Sequence, residues 1–506
     1  MNDVDSALVR TFLEFACWDH RTHGKADHRM NDRAAQRILA QHPAIAAYSF
    51  FTAVVSGNLP EVKRILAERP LAATQPGGAR GWTPLLYLSF VRFTHSGTVS
   101  SAVEIAALLL DHGANPNDFY MAGDSEYSNL VGAAGEGEQD SPRQPYAAEL
   151  YRLLLERGAG PYDIQVLYNT HFSGDMIWWL ELTYQRSLAT GRKADWDDPH
   201  WRMLDMGGYG SGAHFVLNTA IQRNVLPLAE WALSHGADPN SDMSAHPRFK
   251  LARPLYDTAI LRGSTELAEL LRAHGARSAA HPLEPEDAFL AACMGLDANA
   301  ARAILNHHPE YLRSHCAIFE AARRDRPDVI AFLLELGVPI EVEDRTHARA
   351  LHQAAGANAL RAAAFLIERG AEIDPRETGY GGTPIGWAAH GDRTEMIAFL
   401  SRYTKNVWTL AFRGFTGRLR EVLREEPDRA KEVTSDGTTP LWWLPDDEGE
   451  ALEIVELLLA AGADPAARSH NRRTAAEWAR KRGMKDVADR LTAESGTAGA
   501  DASDDR

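Results

Sequence analysis

One phrase returns along this chain, and it limits what the chain can fold into. It reads LLLDHGANPND at Leu108 to Asp118, YRLLLERGAGPYD at Tyr151 to Asp163 and WALSHGADPNS at Trp231 to Ser241. It returns as LLRAHGARS at Leu270, FLLELGVPIE at Phe332, FLIERGAEID at Phe365 and LLLAAGADPAAR at Leu457. Its glycines are Gly113, Gly158, Gly236, Gly275, Gly337, Gly370 and Gly462, with gaps that include 45, 39 and 33 residues. The 78 residues from Gly158 to Gly236 are two steps of 39. Self-similarity at such a period marks stacked supersecondary units, each unable to bury its apolar side alone.

The chemistry inside the phrase predicts a helix with a defined end. Val103, Ala106, Ala107 and Leu110 share helical spacing, as do Val329, Phe332, Leu333 and Leu336, and Ile454, Leu457, Leu458 and Ala461. Ile105 and Leu109 make a second face apolar, so the helix is buried between neighbours. Glycine can take the left-handed conformation that ends a helix. Asn115, Asp238 and Asp464 follow it where a side-chain acceptor favours a turn.

A second phrase precedes the first: GWTPLL at Gly81, GGTPIGWAA at Gly381, DGTTPLWWL at Asp436 and a weaker ARALHQAA at Ala348. Thr83, Thr383 and Thr439 are placed to cap a helix, and Pro84, Pro384 and Pro440 to open it without wasting an N–H. The two phrases together resemble the ankyrin repeat, whose units begin with TPLHxA and end with LLxxGA. The resemblance runs from about Ala44 to Glu494 and gives about a dozen units, several degenerate, at a period of ~33 residues. It implies an all-α ankyrin-repeat solenoid of helix–turn–helix units with an N-terminal helical cap. It further implies a non-catalytic protein–protein interaction scaffold or adaptor that binds its partner on the concave face and hairpin tips.

On this reading residues 1–43 form the helical cap and 44–162 carry repeats, with a polar, glycine-rich loop inserted near 123–145. Residues 163–212 hold a degenerate repeat with an aromatic-rich insertion, in which Asp175 to Tyr184 suits a second repeat helix. Repeats continue over 213–493, and the small, acidic segment 494–506 is a disordered tail.

Composition narrows the function. The net charge of −16 opposes a nucleic-acid partner, which needs a basic face. Arg472, Arg473, Arg480, Lys481 and Arg482 form a local basic run that reads as a solvated helix face. No apolar run is long enough to cross a bilayer, and Asp3 and Asp5 sit where a secretory leader carries positive charge. Cys17, Cys293 and Cys316 stand apart without CxxC spacing. They read as reduced thiols, and the expected address is cytoplasmic.

Motifs for chemistry are sparse. No Walker loop, HExxH or GxSxG occurs, and no catalytic residue or cofactor is assigned. His20, His23 and His28 lie near Asp19 and Asp27, but this spacing does not by itself make ligands converge; the cluster reads as a solvated or hydrogen-bonded cap loop, and no metal is assigned. Candidate partner-binding residues are Trp82, Tyr87, Tyr380, Trp387, Trp442 and Trp443, aromatics in or beside the TPLHxA-like segment. An alternative is an enzyme or small-ligand pocket around 163–212, built from Trp178, Asp195, Trp196, Asp197, His200, Trp201 and Asp205. A third reading is an acidic inhibitor or immunity protein masking a basic partner.

Overall fold

The computed structural model describes residues 5–22, 28–93, 95–138, 141, 143–241, 253–278, 283–391, 393–434 and 436–500, with side chains omitted at 28–30 and 496–500. The protein is mostly helical, 61% helix with 28 α-helices among the described residues. Phe119–Ala122 and Ser125–Ser128 form an antiparallel hairpin in which Tyr120 lies opposite Tyr127.

Helix ends follow the glycine phrase. Gly113, Gly158, Gly236, Gly275, Gly337, Gly370 and Gly462 all have φ between +87° and +100°. Only glycine enters this region without a Cβ clash, so the chain turns at the same point in each unit. The turn is then locked by short side chains. Asn115, Asp238 and Asp464 accept from the amides two residues on, at 3.0, 2.8 and 2.8 Å.

The predicted caps divide. Thr383 accepts from Gly386 N–H at 3.3 Å and opens the helix Pro384–His390. Thr83 opens Pro84–Ser89 without a side-chain cap bond. After Thr439 the chain makes only the 3₁₀ turn Pro440–Trp442. Leu444 precedes Pro445, whose ring disfavours helical geometry in the residue before it.

The chain divides into two compact units. The first comprises Met1–Leu255, Leu270–Arg277 and Lys481–Gly483; the second comprises Tyr256–Glu269, Ser278–Arg480 and Met484–Arg506. In the first, Ser6–Ala16 packs on His28–Gln41 and on Phe50–Ser56. The glycine-rich stretch expected as a loop holds strand Ser125–Ser128 and helix Asn129–Ala134. This corrects the loop at 123–145 over residues 125–134: Ser128 caps the helix, and Leu130, Val131, Ala133 and Ala134 are buried.

In the second unit the pairing is regular. First helices Cys316–Arg323, Ala350–Gly356 and Pro384–His390 pack in succession, as do second helices Pro327–Leu336, Leu360–Glu368 and Thr394–Leu400. One apolar core joins these pairs through Ile318, Leu333, Leu351, Leu366, Ile385 and Leu400. A second core gathers Leu410, Leu419, Leu441, Ile454, Leu458 and Leu491. Helix Lys485–Ala500 runs past Glu494, so the expected tail is helical as far as Ala500; 501–506 lie outside the described residues.

Candidate binding surface

The loop before Pro384 shows how the fold presents a side chain. Glu377 is buried and turns its carboxylate into its own loop. It accepts from the backbone N–H of Gly379, Tyr380 and Gly382 at 2.5, 2.9 and 2.9 Å. Burial pushes this carboxyl up, but the three amides outweigh it and hold its pKa below the ordinary glutamate value. Gly381 takes φ +71°, which closes the loop.

His352 holds the same loop from inside. Its Nδ1 accepts from Arg349 N–H at 3.1 Å, which leaves Nε2–H to donate to Gly382 O at 3.3 Å. Burial lowers the pKa of this imidazole and favours that neutral form. The result is a pinned loop with Tyr380 at its crest, 100% exposed.

Neighbouring loop crests are tied together. Thr378 N–H donates to Thr346 O at 2.7 Å, and its hydroxyl donates to the same carbonyl at 3.1 Å. Arg376 donates to Gly381 O at 3.2 Å and to Glu432 Oε2 at 3.3 Å. His470 N–H donates to Asp436 O at 2.8 Å. The crests at 344–348, 376–382, 432–434 with 436–437, and 468–474 therefore form one edge.

The six aromatic candidates separate into distinct environments. Tyr380 is open to solvent, and Trp387 and Trp443 are half-buried. Trp387 packs edge-on to His352, with ring centroids 5.2 Å apart, and Trp443 packs against Phe412 at 6.0 Å. Trp442 is 9% exposed and stacks on Trp478. Trp82 and Tyr87 are buried, which corrects their assignment to an open groove. Trp82 stacks on Tyr120 at 4.5 Å and Tyr87 donates to Gly77 O at 3.1 Å, so both build the interior under the hairpin.

The residues of the pocket reading do not converge. Trp196 and Trp201 are buried in an edge-to-face cluster with Trp231, at 5.9 and 5.8 Å. Asp195 accepts from Tyr162 OH at 2.5 Å and pairs with Arg192 at 2.8 Å. Exposed Asp197 pairs with Lys193, and exposed Asp205 accepts from Gly207 N–H at 2.8 Å. His200 is partly buried, and its N–H donates to Asp198 at 2.9 Å. Trp178 donates to Glu136 at 3.1 Å, away from that cluster. These carboxylates are spent on turns and surface ion pairs, so no enclosed site joins His200 with Asp197 or Asp205.

His23 and Asp27 lie outside the described residues, as does the side chain of His28. His20 contacts Tyr120 OH through Nδ1 at 3.1 Å and stacks on Tyr127. No group of His, Cys, Asp and Glu suited to a metal occurs among the described residues. Among them, too, no helix is long and apolar enough to cross a membrane.

Sequence reading missed Glu377 and the Thr346–Thr378 tie. The available signal was an acid followed closely by glycines, the pattern of a carboxylate that can reach several loop amides.

Comparison with known proteins bears on the repeats. The chain is 29% identical over 131 residues to a putative ankyrin repeat protein of fowlpox virus (strain NVSL), a match covering 26% of this chain and 23% of the viral protein. The family model for ankyrin repeats (many copies) matches residues 351–400, which include His352, Glu377, Tyr380 and Trp387. The chain carries ankyrin repeats over residues 351–400.

Proposed function

We propose that this chain is a cytoplasmic, non-catalytic protein-binding scaffold, with ankyrin-type helix pairs stacked as a solenoid well beyond residues 351–400. Ankyrin repeats generally mediate protein–protein interactions. The observation that supports a partner here is Tyr380, fully exposed on a loop whose backbone Glu377 and His352 pin. An aromatic held ready for contact loses little entropy on binding, which is how anchor residues earn their affinity. Trp387 is half-buried under the same loop, where a Cβ at Gly382 would lie 2.9 Å from its ring, while half-buried Trp443 packs on Phe412 and buried Trp442 stacks on Trp478.

The test is capture of partners by tagged full-length chain from its native cell, compared with Tyr380→Ala. The variant should fold unchanged and recover its main partner at least several-fold less well. Equal recovery would refute Tyr380 as the anchor. The double variant Trp387→Ala/Trp442→Ala should also lose the partner, but its folding must be checked because Trp442 is buried.

A further inference from the structure

The crests that present Tyr380 also sort their charges. Two of their acids, Asp344 and Glu377, are held by loop amides. Asp344 accepts from Thr346 N–H at 2.7 Å and Ala348 N–H at 3.0 Å. Glu377 clamps its own loop; Asp436 is exposed and accepts from Thr438 Oγ1 at 3.1 Å. The guanidiniums of Arg345, Arg472 and Arg473 are exposed, and no described residue pairs with any of them.

The crest at 468–474 holds three arginines and no acid. Arg468 donates to Arg472 O at 2.7 Å, and Arg472 takes φ +58°, so the turn is tight. Between the two basic ends lie Tyr380 and Val433, the latter 66% exposed. On a chain of net charge −16, three arginines of this edge stand exposed and unpaired by any described residue.

We propose that this edge, from Arg345 through Tyr380 and Val433 to Arg472 and Arg473, binds an extended acidic polypeptide segment with apolar side chains at its middle. The inference rests on the docking role given above to Tyr380 and adds the chemistry of the partner. Charge complementarity selects the occupant: cations lie at the ends and apolar groups between them. Glu432 and Asp436 also lie in the middle stretch. A nucleic acid, charged at every phosphate, would meet them with like charge. A peptide can place uncharged residues there.

The experiment is selection of a displayed library of random peptides about twelve residues long on the full-length chain. Enriched peptides are then synthesised and their affinity measured by fluorescence anisotropy. The expected result is enrichment of Asp and Glu around an apolar centre, with affinity that falls as salt rises. The triple variant Arg345→Gln/Arg472→Gln/Arg473→Gln, all at exposed positions, should weaken such a peptide about tenfold. Tyr380→Ala should weaken it as well.

The proposal is overturned if nothing is enriched, if enriched peptides are neutral or basic, or if the triple variant binds as well as the parent. It is also overturned if single-stranded oligothymidine binds as tightly as the best peptide. Enriched peptides without acidic bias that are lost with Tyr380→Ala would sink the charge inference and leave the docking role intact.

Discussion

The side-chain amide of Asn117 is bonded to the backbone of Gly160 in the following unit: Gly160 N–H donates to Asn117 Oδ1 at 2.8 Å, while Asn117 Nδ2 donates to Gly158 O at 3.1 Å. Asn117 lies four residues after Gly113, and Gly160 two after Gly158. The same offset recurs. Arg277 N–H donates to Asn240 at 2.9 Å and Glu372 N–H to Glu341 at 2.9 Å; Asp374, four after Gly370, accepts likewise from Lys405 N–H at 2.6 Å, where the next unit lacks the glycine. The rung sets the register between successive units. Asn117→Ala should lower stability by about 0.5–1.5 kcal/mol, the ordinary net worth of such bonds, as measured by denaturant unfolding. Asn117→Asp keeps the acceptor and should cost less.

Gly236 and Gly275 separate two costs of the same turn. Both have positive φ, +88° and +87°. A Cβ at Gly236 would lie 3.3 Å from Trp196 O, whereas at Gly275 nothing lies within 4 Å. Gly275→Val should therefore lose only the left-handed penalty of about 1–2 kcal/mol. Gly236→Val should lose more, because it also presses on the segment that carries Trp196. Equal unfolding midpoints for the two variants would contradict this.

Acid should loosen the Tyr380 loop. The folded-state pKa of Glu377 lies below its ordinary value, because three amides stabilise the carboxylate against burial. The folded-state pKa of His352 also lies below its ordinary value, because burial disfavours the imidazolium. In both cases the unfolded chain takes up the proton first, so stabilisation is complete above the ordinary values and declines as pH falls. His352 gives way first, below the usual histidine range near 6.5, and Glu377 later, below the usual glutamate range. Amide hydrogen exchange at Gly379 to Gly382, corrected for intrinsic rate, should lose protection in that order. Glu377→Gln should weaken that protection at neutral pH and remove the lower step.

Trp442 and Tyr380 should respond oppositely to alanine. Trp442 is 9% exposed, so its removal leaves a void and should cost about 3–5 kcal/mol. Tyr380→Ala removes nothing from the core and should move the unfolding midpoint by less than about 0.5 kcal/mol. Thermal unfolding of the two variants checks this contrast.

Sequence alone determined where helices stop and which turns follow. That information is local: a glycine without a Cβ, an Asn or Asp that reaches two residues ahead, a proline at the first helical position. It also marked Asp175 to Tyr184 as suited to a helix within the irregular stretch, where the helix Ile177–Ala189 forms. What tertiary structure decided was the fate of each aromatic. Trp82, beside the same Thr-Pro motif as Trp442, vanishes under the hairpin because Tyr120 arrives to stack on it. Tyr380 stays in water because the inward-facing Glu377 and the glycines around Tyr380 fold the loop beneath it, and no described segment packs on its ring. Burial depends on which distant segment fills the adjacent space, and no local pattern in the chain encodes that partner.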